Sequence, residues 1–228
     1  MATCFDALYA QRNSDTLQSW QHETVGAQQQ TETFFYPAGL KALTSGIQPV
    51  LNTQILSLLA DLRGLTQGDS LADVMQPNHF HLTFLPVTPA RYDSLQQLPA
   101  LSQLTGAFSQ SVTELSLRVE ALRLVALPDQ LLLAGIPEGR AVEQRAAYWN
   151  SLMSLEAWRD SLLQRHGGKT TPPEFWHTTL LRYRATCLPE TLKSYFADNM
   201  QRRYGAISGD IRLVFAVYNW ADQERITV

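Results

Sequence analysis

Residues 77–87, Pro-Asn-His-Phe-His-Leu-Thr-Phe-Leu-Pro-Val, and residues 172–183, Pro-Pro-Glu-Phe-Trp-His-Thr-Thr-Leu-Leu-Arg-Tyr, decide how this chain reads. Each sets a histidine two residues before a threonine within an apolar, β-branched run: His81 with Thr83, and His177 with Thr179. Such runs favour strands. On a strand, residues two apart project from one face. Each segment therefore presents an imidazole beside a hydroxyl. Two such pairs in opposite halves of the chain imply two matching half-sites facing one substrate.

Elements follow on either side of these segments. ETFFYPA (32–38) reads as a first strand, and 48–63 as a helix carrying Leu51, Ile55, Leu58, Leu59 and Leu62, with Gly64 placed to stop it. The first His-Thr strand covers 79–87. A helix over 92–112 is interrupted early by Pro99. SLRVEALRLVAL and QLLLAGIP, joined at Pro128-Asp129, read as a β-hairpin. One long helix is expected over 140–165, with Val142, Trp149, Leu152, Leu155, Trp158 and Leu162 as its apolar stripe and Gly167-Gly168 at its end. The second His-Thr strand covers 175–185. Pro189 opens a helix to about Tyr204, residues 210–220 form a closing strand, and ERITV adds one more. Each half supplies strands, two helices and one His-Thr strand. The order predicts an α+β fold of two pseudo-symmetric lobes with antiparallel sheets around a central cleft. Residues 1–30 are polar and Gln-rich, without strong periodicity, and read as an N-terminal extension: a short helix and loop, or a partly ordered segment. Residues 31–228 form the two-lobed domain.

The 228 residues can bury a real core, and 45% are hydrophobic. A net charge of −3 argues against a broad basic surface that coats nucleic acid. It leaves room for a small anion held by local cations. Two cysteines, Cys4 and Cys187, make no disulfide framework and no metal-ligand spacing; no metal and no cofactor are expected. Asp6, Gln11, Arg12 and Asn13 break any signal-peptide core. No apolar run approaches the roughly 18 residues that span a bilayer. A reduced, cytoplasmic monomer without membrane contact is expected.

Two imidazoles across a cleft can divide acid–base work near neutral pH, since their ordinary pKa lies near 6.5. One removes a proton from an attacking hydroxyl or water; the other protonates the leaving oxygen. The two threonine hydroxyls can hold the non-bridging oxygens of a phosphate. A third copy of the pattern, His22-Glu23-Thr24, lies among Gln18, Ser19, Gln21 and Gly26, which do not form a strand. The tripeptide alone thus occurs by accident. The strand settings and opposite halves set the other two apart.

HLTF and HTTL resemble the paired motifs of the two-histidine phosphoesterases, the family that includes the bacterial RNA 2',3'-cyclic phosphodiesterases once called 2'-5' RNA ligases. The likeness covers roughly residues 31–228. It implies two α+β lobes around a cleft, His81 and His177 as the acid–base pair, and Thr83 and Thr179 as phosphate ligands. Arg182 falls where the family often has an arginine, yet strict alternation points it away from His177. The implied activity is metal-independent hydrolysis of a cyclic or 2',5'-linked phosphodiester on a nucleotide or short RNA. Alternatives are a binding module without turnover, and a 2'-5' RNA ligase using the same acid–base pair.

Other candidates are weaker. His79 shares a face with His81, and Tyr183 shares one with His177; each is a candidate substrate contact, with solvation or packing as the plainer reading. Tyr36 and Phe35 offer a stacking face for a base, or core. Arg165, His166 and Lys169 surround Gly167-Gly168 and can close over an anion, or simply end a helix with positive charge. Trp149 and Trp158 read as core.

Overall fold

The computed structural model describes residues 2–22 and 37–228. Along the chain lie helix α1 (Ala2–His22), strand β1 (Ala42–Ile47), α2 (Thr53–Leu65), β2 (Ala72–Val74), β3 (Leu82–Pro86) and α3 (Leu101–Ser111). The hairpin β4 (Ser116–Leu127) and β5 (Gln130–Pro137) follows, then α4 (Ala141–Ser154), α5 (Glu156–Arg165) and β6 (His177–Tyr183). Helix α6 (Glu190–Asn199) and strands β7 (Ile207–Asp210), β8 (Arg212–Ala216) and β9 (Gln223–Ile226) complete it. Two antiparallel sheets result, with strand orders β3-β1-β8-β9 and β2-β6-β5-β4-β7. One His-Thr strand belongs to each sheet. This is the expected α+β architecture of two sheet-bearing lobes.

Most of the expected strand at 32–38 lies outside the described residues. The first described strand, β1, runs through ALTSGI, where Thr44 and Ser45 are buried polar residues. Their hydroxyls are satisfied by the Leu85 carbonyl, so a strand with weak apolar patterning still sits in the interior. Gly46 is required here: a Cβ would run into the Leu82 carbonyl of β3. Asn52 caps α2 by accepting from the Ile55 amide, and the helix runs past Gly64 to Leu65. Pro99 separates α3 from a single 3-10 turn at Leu95–Gln97.

One expected helix is split and one expected strand is shortened. The long helix over 140–165 breaks at Leu155, whose backbone is extended at φ −96° and ψ 109°. The break lets α4 bury Trp149 and Leu152, and α5 bury Trp158 and Leu162, each at its own angle. The strand expected over 210–220 is shorter, β8 at Arg212–Ala216, and follows directly on β7 (Ile207–Asp210), which belongs to the other sheet. The chain crosses at Ile211, buried with its amide on the Leu115 carbonyl. After Ala216 it leaves the sheet for a turn in which the Val217 amide donates to the Asp222 carbonyl.

Helix α1 docks on the outside of β4 and β5. β4 pairs with β7 only over Ser116–Val119 and with the Tyr204–Gly205 backbone at Leu122, which leaves the edge beyond Leu122 to other partners. Side chains of α1 satisfy it: Asn13 donates to the Leu124 carbonyl (3.3 Å) and accepts from the Ala126 amide (3.0 Å), and Thr16 donates to the Ala126 carbonyl (2.7 Å). Trp20 donates to the Pro128 carbonyl. Covering a strand edge with polar groups explains why this helix shows so little apolar periodicity. Among the described residues, no helix is long and apolar enough to cross a membrane.

Candidate active site

Each His-Thr strand carries one extra residue just after its threonine. Between β1 and β3, Ser45 faces Leu85 and Gly46 faces Thr83, which leaves Phe84 as the bulge. Between β5 and β6, Leu131 faces Leu181 and Leu132 faces Thr179, which leaves Leu180 as the bulge. A bulge shifts alternation by one residue. Burial records the shift twice: Leu82, Phe84 and Leu85 are buried with Thr83 and Pro86 only partly so, and Thr178, Leu180 and Leu181 are buried with His177, Thr179 and Arg182 only partly so.

The consequence is a cavity of about 280 Å³ lined by His81, Thr83, His177, Thr179 and Arg182 together. Arg182, which strict alternation sends away, is turned inward by the bulge. Tyr183 is turned outward: its hydroxyl donates to Asp69 Oδ2 at 2.9 Å, and it does not line the cavity. Arg165 and His166 also line it, and the His166 Nε2–H donates to the Pro86 carbonyl of the first motif strand. Lys169 is exposed and stands apart from the lining. The ring of His79 does not line the cavity either; its contribution is a carbonyl. Tyr36 and Phe35 lie outside the described residues. His22 ends α1, exposed, and takes no part. Trp149 and Trp158 are fully buried core.

His81 is 7% exposed and precedes β3. Its Nδ1–H donates to the His79 carbonyl at 2.9 Å, which leaves Nε2 as the unprotonated nitrogen of the neutral ring. The ring stacks on Trp220, centroids 4.4 Å apart and planes within 4°. Burial lowers its pKa to about 4; the His79 carbonyl opposes this, while Arg182 and His177 add to it. Burial lowers His177 to about 4 as well, with Arg145 and Arg182 contributing. Both shifts favour the neutral imidazole at pH 7. Neither threonine hydroxyl has a partner among the described residues, so both are available to a ligand.

Three residues escape the sequence reading. Trp220, at φ 58°, and Tyr218 lie on the turn after β8; Trp220 covers His81, and Tyr218 lies against the Arg182 guanidinium (5.1 Å) while donating to Asp73. Reading 210–220 as one strand hides them. Arg145 of α4 lines the cavity from within the core. Its signal is present: it sits three residues after Val142 and four before Trp149, on an otherwise apolar helical stripe. Among the described residues the lining holds three arginines and three histidines and no carboxylate. That arrangement suits an anion, with the two motif imidazoles in the same lining.

No protein-family model matches the sequence, and no curated protein does. Solved structures resemble it in fold. TT0787 of Thermus thermophilus superposes with a TM-score of 0.51 at 14% identity, over 82% of this chain and 95% of that one. E. coli LigT complexed with NADP+ gives 0.48 at 12% identity, over 83% and 95%. ATU0111, a conserved protein of unknown function from Agrobacterium tumefaciens str. C58, gives 0.46 at 15%, over 92% and 95%. At these identities the likeness is one of fold.

Proposed function

We propose that this chain, which has the fold of the two-histidine phosphoesterase superfamily, is a metal-independent phosphodiesterase acting on a cyclic or 2',5'-linked phosphodiester of a nucleotide or short RNA. The observation that carries the reading is the shared cavity into which two equivalently bulged strands deliver His81, Thr83, His177, Thr179 and Arg182. The catalytic unit is residues 31–228, with α1 as an added element on its outer face.

The phosphate sits between the half-sites. Thr83 and Thr179 donate hydroxyl hydrogen bonds to its non-bridging oxygens, and Arg182 balances its charge. The entering negative charge raises the proton affinity of the two neutral imidazoles, so one becomes charged only when substrate is present. One imidazole accepts the proton of the attacking water as its oxygen bonds to phosphorus. The other gives a proton to the oxygen leaving phosphorus.

The test is a panel of 2',3'-cyclic mononucleotides, cyclic dinucleotides and 2',5'-oligoadenylate incubated with the protein in EDTA. Turnover of at least one is expected, and His81→Ala and His177→Ala should each lower kcat/KM by about 10²–10⁴. Binding without product, strict dependence on added metal, or full activity in either variant contradicts the reading.

A further inference from the structure

Arg145 is 2% exposed, and no carboxylate among the described residues reaches it. A buried cation without a counter-ion is costly. Its Nη1 donates to the Pro173 carbonyl (2.5 Å) and the Phe175 carbonyl (3.2 Å). Its guanidinium lies 3.1 Å from the centroid of the Trp176 ring. Nε and Nη2 are buried without a hydrogen-bond partner. The same residue lines the cavity.

The two half-sites differ in what anchors the histidine ring. His81 Nδ1–H is anchored on the carbonyl two residues earlier, that of His79. The carbonyl two residues before His177 is that of Phe175, and Arg145 occupies it. The Nδ1 of His177 is buried with no partner at all. The charged and titratable groups around His177 are Arg145 from α4, Arg182 from β6, Arg165 and His166 from the end of α5, and His81 across the cavity. Tyr9 of α1 approaches from behind, edge-on to Phe175, with its hydroxyl donating to Gly135. Among the described residues, no carboxylate belongs to the lining around His177.

We infer that Arg145 is a positioning residue that breaks the symmetry of the two half-sites, taking the carbonyl that would anchor a protonated His177 and setting its guanidinium beside the ring. His177 therefore enters the cycle neutral and takes the proton of the attacking water as the water oxygen bonds to phosphorus. The proton gained when the anion binds goes to His81, whose Nδ1–H has an acceptor and whose ring has an indole face. His81 then gives its Nε2 proton to the departing oxygen as the phosphorus–oxygen bond breaks. As product leaves, His177 releases its proton to solvent and His81 takes one from solvent with the next substrate, so the net addition is one water. The inference rests on the phosphodiesterase reading for its roles, while the effect of Arg145 on His177 can be measured without turnover.

The experiment follows the imidazole Cε1–H resonances by NMR against pH, assigned with His81→Gln and His177→Gln. In the wild-type protein His177 should titrate well below 6.5. In Arg145→Gln its midpoint should rise by about one unit, while His81 moves by less than a third as much. Arg145→Lys, which keeps the charge, should stay close to wild type. The acid limb of the kcat/KM profile should move with His177. A purely structural arginine would lower stability or rate and leave that midpoint in place. The inference is overturned if His177 does not move in folded Arg145→Gln, if both histidines move together, or, where that variant fails to fold, if wild-type His177 titrates at or above 6.5. A depressed His177 midpoint in a protein that turns over nothing would count against the proposed function and leave the inference standing.

Discussion

Tyr183 and Arg182 are neighbours with opposite fates, and a single bulge residue decides them. Alternation read from the sequence favours Tyr183 for the cavity. With Leu180 bulged, Tyr183 bonds Asp69 on the far face and Arg182 enters. Tyr183→Phe should therefore leave kcat/KM unchanged and cost about 1 kcal/mol of stability from the lost hydrogen bond, read as a lower urea midpoint. Thr83→Val and Thr179→Val keep the side-chain shape and remove the donor. Each should lower kcat by about 10², measured on whichever substrate the panel identifies. Loss of binding with kcat intact would assign the hydroxyls to the ground state alone.

Elements carry their own lesson. The hairpin β4–β5 and the apolar face of α2 are where their patterns put them, because turn chemistry and helical period act locally. Helix α1 is not legible as a long helix, since its docking relies on polar side chains rather than an apolar stripe. Asn13→Ala should leave the Leu124 carbonyl and Ala126 amide without their partner and cost about 1–3 kcal/mol in chemical denaturation. β1 escapes the sequence reading for a related reason: its buried Thr44 and Ser45 read as loop residues until their acceptor on β3 is seen. Gly46→Ala should push β3 off β1, with a cost of about 1–3 kcal/mol and a loss of activity as His81 and Thr83 move.

At the scale of the whole molecule, a chain of net charge −3 places three arginines and, among the described residues, no carboxylate in one cleft, a local balance that draws in an anion. The same cleft couples stability to pH. His81 and His177 titrate near 4 when folded and near 6.5 when unfolded. Between those values the unfolded chain binds protons that the native state does not, so stability is complete above about 6.5 and falls as pH drops toward 4. His166, lowered chiefly by its burial, adds in the same direction. Urea midpoints should fall from pH 7.5 to 4.5, and His81→Asn with His177→Asn should flatten that slope. Local patterns were enough to place the two motif strands, pair each histidine with its threonine and set the fold class, because backbone periodicity needs no distant partner. The bulges, the indole over His81 and the guanidinium beside His177 came from contacts between residues far apart in the chain, where register and burial depend on how two sheets meet.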